Sequence, residues 1–314
     1  MREMVMRFSA SLMLGGAALA LGACAATTAA TPPVAATPPA LTQAQIASQM
    51  GEAATPERPP AGQQWLFGSA EGSIALRQTW DSIASYTEAV ARNRPVFSVV
   101  LEPGASAADA RRVPCGDRPL AAVFDADETL LWNLGAMRQF ALRNQSFDPA
   151  LWMAWERTGA GFAVATPGSI EALNQMRAAG VTVIVNTNRT QGNAEGTIAT
   201  LRAAGLGDFV HGQSLYLMGD APDGTGKDGR RAMISARYCV VALVGDQLGD
   251  IADTFNERGL SVMARRQRAE SPAFAALWNH GWFVLPNPVY GPSIRGNFDD
   301  VFPPESRWEP PAQP

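Results

Sequence analysis

The stretch Ala121-Ala122-Val123-Phe124-Asp125-Ala126-Asp127-Glu128-Thr129-Leu130 constrains the fold more than any other part of the chain. An apolar run, bounded upstream by Pro114, Gly116 and Pro119, ends in two aspartates one residue apart. Such a run reads as a parallel strand buried on both faces. Its last residues then fall at the carboxyl end of the strand, where open α/β sheets bind their ligands. Residues i and i+2 of a strand point the same way, so Asp125 and Asp127 are expected to face one small volume. Two carboxylates that close repel unless a cation or a shared proton lies between them. A loop with an Asx-turn is the competing reading of Asp-x-Asp.

The rest of the chain repeats the pattern. Glu71 to Arg92 carries Ile74, Leu76, Trp80, Ile83, Ala84 and Val90 roughly on one helix face. Thr166-Pro167-Gly168-Ser169 starts a helix that Ala178-Ala179-Gly180 ends. Val181 to Val185 reads as a second buried strand, ending in the polar cluster Asn186-Thr187-Asn188-Arg189. A helix over Ala194 to Ala204 and a short strand within Phe209 to Leu217 follow. A glycine-rich loop, Gly219 to Gly229, carries Lys227. Tyr238 to Val244 is a third apolar strand, ending Gly245-Asp246-Gln247-Leu248-Gly249-Asp250, and Trp282 to Leu285 is one more. This alternation predicts an α/β fold, a Rossmann-like doubly wound parallel sheet with the strand-end clusters on one edge. Residues about 130–165 hold Trp132, Phe140, Phe147, Trp152, Trp155 and Phe162. They predict a small, mainly helical cap over that edge, its rings mostly cap core.

With 314 residues, 46% hydrophobic, the chain can bury one sizeable core and a small second domain. A net charge of −4 with 17% charged residues excludes the electrostatic footprint of a nucleic-acid polymer partner. Among 25 basic residues Lys227 is the single lysine. Drift explains that, or a chemical need for a compact point charge.

Residues 1–23 read as a signal peptide: Arg2 and Arg7 precede an apolar run from Leu12 to Leu21. The sequence Leu21-Gly22-Ala23-Cys24 resembles a bacterial lipobox, with Cys24 as the lipidated residue; cleavage after Ala18-Leu19-Ala20 is the alternative. A lipid at Cys24 would anchor an exported protein to a membrane, and Ala25 after it suggests the outer membrane. Residues 24–62, rich in Ala, Thr and Pro, read as a tether with a short helix over 41–50. The Pro-rich tail 299–314 is expected to be unstructured.

The strand ends together offer Asp125, Asp127, Asp246 and Asp250 as ligands for a hard cation such as Mg2+. Two histidines and three cysteines give no zinc set. Carboxylates, magnesium and Lys227 suit phosphoryl transfer. Asp125 can attack phosphorus, Asp127 can act as acid and base, and Thr187 can hydrogen-bond the phosphoryl group in transit.

Asp125-Ala126-Asp127-Glu128-Thr129 resembles the nucleophile motif of the haloacid dehalogenase superfamily, in the form found in phosphatases. Thr187, Lys227 and the Asp246/Asp250 pair match its other motifs in order. Between about Trp65 and Gly296 the chain is more closely similar to the bacterial class C acid phosphatases, a lipoprotein group. Asp127 to Asn133, Phe147 to Trp155, Thr187 to Arg189, Lys227 to Arg230, Gly245 to Asp250 and Leu285 to Gly291 carry that similarity. It implies a phosphatase domain over 63–298, Mg2+, and small phosphomonoester substrates such as nucleoside 5′-monophosphates and aryl phosphates. It implies Asn188, Arg189 and Arg230 beside the substrate. Trp132 and Tyr290 are expected to stack on a substrate ring, with buried packing as the alternative. Ala126, Gly135-Ala136, Gln247 and Ile251 depart from the family pattern and put substrate preference in doubt. A phosphotransferase, a non-catalytic phosphate-binding lipoprotein and a homodimer stay open. In this superfamily the strands that end in Asp125 and Asp246 are adjacent, so Cys115 and Cys239 are a candidate disulfide in an exported protein. Their unequal offsets, ten and seven residues before those aspartates, count against it; two buried thiols are the alternative.

Overall fold

The computed structural model describes residues 56–310. The predicted signal peptide, Cys24, the helix expected over 41–50 and the tether before Pro56 lie outside the described residues. A short helical segment, Ala61–Gln63 continued by Gln64–Gly68, leads to helix α1, Ala70–Arg92. Ser69 starts α1 by accepting Gly72 N at 2.9 Å, and Leu76, Trp80, Ile83 and Ala84 form its buried face. Strands β1 (Phe97–Leu101) and β2 (Arg112–Pro114) pair antiparallel. The sequence pattern does not announce this hairpin, because three residues of β2 are too few for an alternation to register.

Strand β3, Leu120–Phe124, follows. The cap comprises β4 (Leu131–Trp132), α2 (Leu134–Leu142), α3 (Pro149–Thr158) and β5 (Val164–Ala165), with β4 and β5 paired antiparallel. Then come α4 (Ser169–Ala178), β6 (Thr182–Thr190), α5 (Ala194–Ala203), β7 (Leu215–Met218), α6 (Asp228–Arg237), β8 (Cys239–Gly245) and β9 (Trp282–Val284). Beyond β9, Phe298–Val301 and Pro304–Ser306 make single helical turns, so the described part of the tail is exposed but not featureless.

The central sheet runs β7-β6-β3-β8-β9, parallel throughout. Ala122, Phe124, Val183 and Val185 pack on one face with Trp80 of α1 and Leu173 of α4. Ala121, Val123 and Ile184 pack on the other with Ile234 of α6 and Phe255. Both faces are covered, as continuous apolar strands require. The chain leaves β3 for β6 and β7 on one side, then returns to β8 and β9 on the other. The carboxyl end of β3 is therefore the switch point of the sheet, where a crevice opens.

Cys115 and Cys239 are bonded, with Cα atoms 4.7 Å apart. Leu120, not Cys115, lies opposite Cys239 in the ladder. Residues 115–119 absorb the unequal offsets by turning back. Gly116 takes a positive φ of 53°, Arg118 Nε donates to Cys115 O at 2.9 Å, and Cys239 N donates to Pro119 O at 2.9 Å. The sequence separation of the bridge is 124 residues. Loop-closure entropy puts its contribution at about 4–5 kcal/mol. Replacing both cysteines by serine should lower unfolding free energy by about that amount in urea titrations, with the slope with denaturant rising as the unfolded chain expands.

Candidate active site

Asp125 follows β3 directly, and its backbone N–H donates to Val244 O of β8 at 2.9 Å. Its buried carboxylate receives the ammonium of Lys227, which also pairs with Asp250 Oδ1 at 2.8 Å and donates to Asn186 O at 2.9 Å. The ammonium thus ties the residue after β3 to the middle of β6 and to the turn that follows β8. Asp246 ends β8 and accepts from Asn287 Nδ2 at 2.7 Å, Gln247 Nε2 at 3.1 Å and Thr129 Oγ1 at 3.1 Å.

Asp127 departs from the sequence expectation. The cluster of carboxylate oxygens within 4.8 Å of one another comprises Asp125, Asp246 and Asp250, without Asp127. Oδ1 of Asp127 instead accepts Arg189 Nε at 2.9 Å, a second Arg189 nitrogen at 2.7 Å and Asn133 Nδ2 at 3.0 Å. Both aspartates still face one cavity, although β3 itself stops at Phe124, before either of them. Asn133 is a hub that sequence reasoning passed over, although it closes the Asp127-to-Asn133 motif. It donates to Glu128 Oε1 at 3.2 Å and accepts from Arg189 at 2.8 Å and Trp155 Nε1 at 2.8 Å. Glu128, at a left-handed φ of 55°, is fully buried and accepts the Tyr290 hydroxyl at 2.5 Å.

Burial is the main cause of the titration shifts. It drives Asp125 well above the carboxylate range; Lys227 opposes it, and Asp250, Asp246 and Asp127 reinforce it. Burial, then repulsion from Asp250, raises Asp246 to about 7. Burial, then Asp127, raises Glu128 to about 7. Burial works against the Lys227 ammonium, but Asp125 and Asp250 outweigh it and hold its pKa above the usual value. Five acidic side chains (Asp125, Asp127, Glu128, Asp246, Asp250) face two cations, Lys227 and Arg189. This surplus of negative oxygen donors fits a hard divalent cation at Asp125, Asp246 and Asp250.

A cavity of about 680 Å3 opens above these groups. Its floor is Asp125, Asp127, Lys227, Asp246 and Asp250, and its walls include Phe140, Phe147, Trp152, Met153 and Tyr290. Of the residues expected at the substrate, Asn188 and Tyr290 line it and three do not. Trp132 packs edge-on to Phe67 at 5.6 Å between ring centres. Arg189 is buried beneath Trp152, its guanidinium 5.9 Å from that ring. Arg230 is buried and spent on the Thr187 carbonyl, Asn188 Oδ1 and Gly226 O, so it clamps the strand end to α6. Thr187 is buried next to Asn186, and its Oγ1 accepts Arg189 N at 3.2 Å.

A buried carboxylate paired with an ammonium at the switch point, within a carboxylate cluster that fits a cation, suits phosphoryl transfer, and the fold and site together define a capped α/β phosphohydrolase. The family model described as HAD superfamily, subfamily IIIB (acid phosphatase), matches residues 77–293, and the chain belongs to that family of phosphomonoesterases. Its fold is similar to that of the class C acid phosphatase from Bacillus anthracis, at 22% identity and a TM-score of 0.58 over 74% of this chain and 84% of that one. A structure of class C acid phosphatase from the same organism with tungstate bound matches at 20% identity and a TM-score of 0.57, over 80% and 96%. No curated protein matches.

The cation fit carries its own prediction. A divalent cation added to metal-stripped protein should raise the melting temperature, by about 2.7 kcal/mol of stabilisation at a hundred times Kd. Asp246→Asn should lose most of that shift in the same scan, because it removes a charged oxygen donor from the cluster.

Proposed function

We propose that this chain is a Mg2+-dependent acid phosphatase of the class C type. Its substrates are nucleoside 5′-monophosphates and aryl phosphates, and the phosphoryl group passes through Asp125. The observation that carries this reading is the pairing of the Asp125 carboxylate with Lys227 on the polar floor of an otherwise aromatic cavity.

Mg2+ at Asp125, Asp246 and Asp250 would neutralise charge on the phosphoryl oxygens. Asp125 attacks phosphorus, and the bond from phosphorus to the leaving oxygen breaks. Asp127 delivers a proton to that oxygen, then takes one from the water that frees phosphate from Asp125. Arg189 and Asn133 both engage Oδ1 of Asp127, leaving Oδ2 without a hydrogen bond among the described residues. Oδ2 is thus the proton-carrying atom. Lys227 balances charge beside the attacking carboxylate. Phe147, Trp152 and Tyr290 offer ring faces and edges to an aromatic leaving group.

Phosphate release should require Mg2+ and stop with EDTA across a panel of these esters. Asp125→Asn should fall below about a tenth of wild-type kcat, since it removes the attacking oxygen; a larger residue of activity would overturn the covalent route. Trp152→Ala should raise KM for nucleoside monophosphates by roughly 1–3 kcal/mol worth of stacking, well beyond its effect on a small alkyl phosphate. Equal effects on both would remove the ring-stacking role.

The reading extends to the amino terminus: export, lipidation at Cys24 and attachment to the outer membrane. Leu21-Gly22-Ala23-Cys24 supports it, and so does the Cys115–Cys239 bridge, which belongs to an oxidising compartment. A palmitate analogue should label the wild type in cells and leave Cys24→Ser unlabelled and released from membranes.

A further inference from the structure

Lys227 immediately precedes α6, yet its own side chain caps nothing. The cap comes from another element. Asp253, first residue of the turn Asp253–Asn256, accepts Lys227 N with both carboxylate oxygens at 2.9 Å and Asp228 N with Oδ2 at 2.9 Å. A carboxylate at this end of a helix satisfies free N–H groups and meets the positive end of the dipole. The same carboxylate accepts from Arg231 at 2.8 Å.

Arg231 is 1% exposed and fully committed. It donates to the carbonyls of Gly249 at 3.1 Å and Asp250 at 2.8 Å, and to Asp228 Oδ1 at 2.9 and 2.6 Å. One carboxylate and one guanidinium therefore join the backbone of Lys227 to that of Asp250, the two residues whose side chains meet over Asp125. Such charge-assisted bonds are short and directional. The Lys227 side chain is buried and its ammonium already held on Asp125, Asp250 and Asn186 O, so a shift of its backbone strains or breaks those contacts.

We propose that Asp253, acting with Arg231, is a positioning residue that sets the ammonium of Lys227 against Asp125 and Asp250 and so governs the rate of phosphoryl transfer. The proposal rests on the role given to Lys227 above. A helix cap alone would affect stability and leave the ammonium where it is.

Because Lys227 is the single lysine, acylation by an amine reagent followed by peptide mapping reports its accessibility directly. In the full chain with Mg2+, Asp253→Asn should lower kcat by about ten- to a hundredfold with KM nearly unchanged, as for a misplacement of about 1 Å. Lys227 should be acylated at least about tenfold faster than in wild type, as its buried pairing loosens. Asp253→Glu, which keeps the charge, should recover part of both. If Asp253→Asn lowers only the melting temperature, with kcat and Lys227 protection intact, the proposal is wrong. Should that variant fail to fold, Arg231→Gln breaks the same link from its other end, and unchanged kcat and protection there would equally overturn it. A wild type that releases no phosphate would refute the proposed function, while the acylation comparison still decides the positioning role.

Discussion

The ammonium of Lys227 is the interaction on which the site depends. Parallel register brings the ends of β3 and β8 together, and with them the carboxylates of Asp125, Asp246 and Asp250. Burying those groups is unfavourable, and the raised pKa values of Asp125 and Asp246 record it. A cation placed among them offsets that cost and orders them at once. Removing one partner of such a buried pair leaves the other uncompensated, at roughly 3–5 kcal/mol. The same two strands are pinned at their other ends by the Cys115–Cys239 bond. One pair, β3 and β8, is thus fastened covalently at the amino edge and ionically at the carboxyl edge. The candidate site rests on this doubly fastened strand pair.

The fold was legible in the sequence wherever burial is complete. Strands β3 and β8 are buried along their whole length, so an unbroken apolar run was the signal and turn residues marked its ends. The apolar run Val181 to Val185 understates β6. Its apolar part stops at Val185 while the ladder continues to Thr190, because polar residues at a sheet's carboxyl end keep backbone pairing while their side chains turn to the site. Asp125 and Asp246 stand out because each directly follows an apolar strand, and Lys227 because it is the single lysine. What could not be found are directions. The family resemblance implies Arg230 beside the substrate, yet the buried Arg230 guanidinium satisfies carbonyls. Trp132 and Trp152 are equally aromatic in the sequence; only the path of the cap sends the second to the cavity and the first to Phe67.

Cap and core are joined by two polar latches near the end of β6. In one, Asn133 links Asp127 and Arg189 to Trp155 of α3. In the other, the buried carboxylate of Glu156 accepts Thr190 Oγ1 at 2.8 Å and Asn193 Nδ2 at 2.7 Å. Both bind α3 to the strand that carries Thr187 and Asn188. The apolar walls are therefore tied to the polar floor through hydrogen bonds of α3.

That division explains the departure at Gly135-Ala136. A Cβ at Gly135 would lie 2.6 Å from the Trp155 ring, and Ala136 is itself buried. A large ring at Gly135 would displace Trp155, and with it the hydrogen bond that sets Asn133 and, through it, Asp127. The small residues preserve the hydrogen bonds that run from Trp155 through Asn133 to Asp127. The cavity takes its rings instead from Phe147 and Trp152, farther along the cap, and from Tyr290, which follows β9. Polar floor and apolar walls thus come from different elements. The floor is fixed by strand ends and their counter-charges, whereas the walls can change with the cap, provided Trp155 and Glu156 keep their partners.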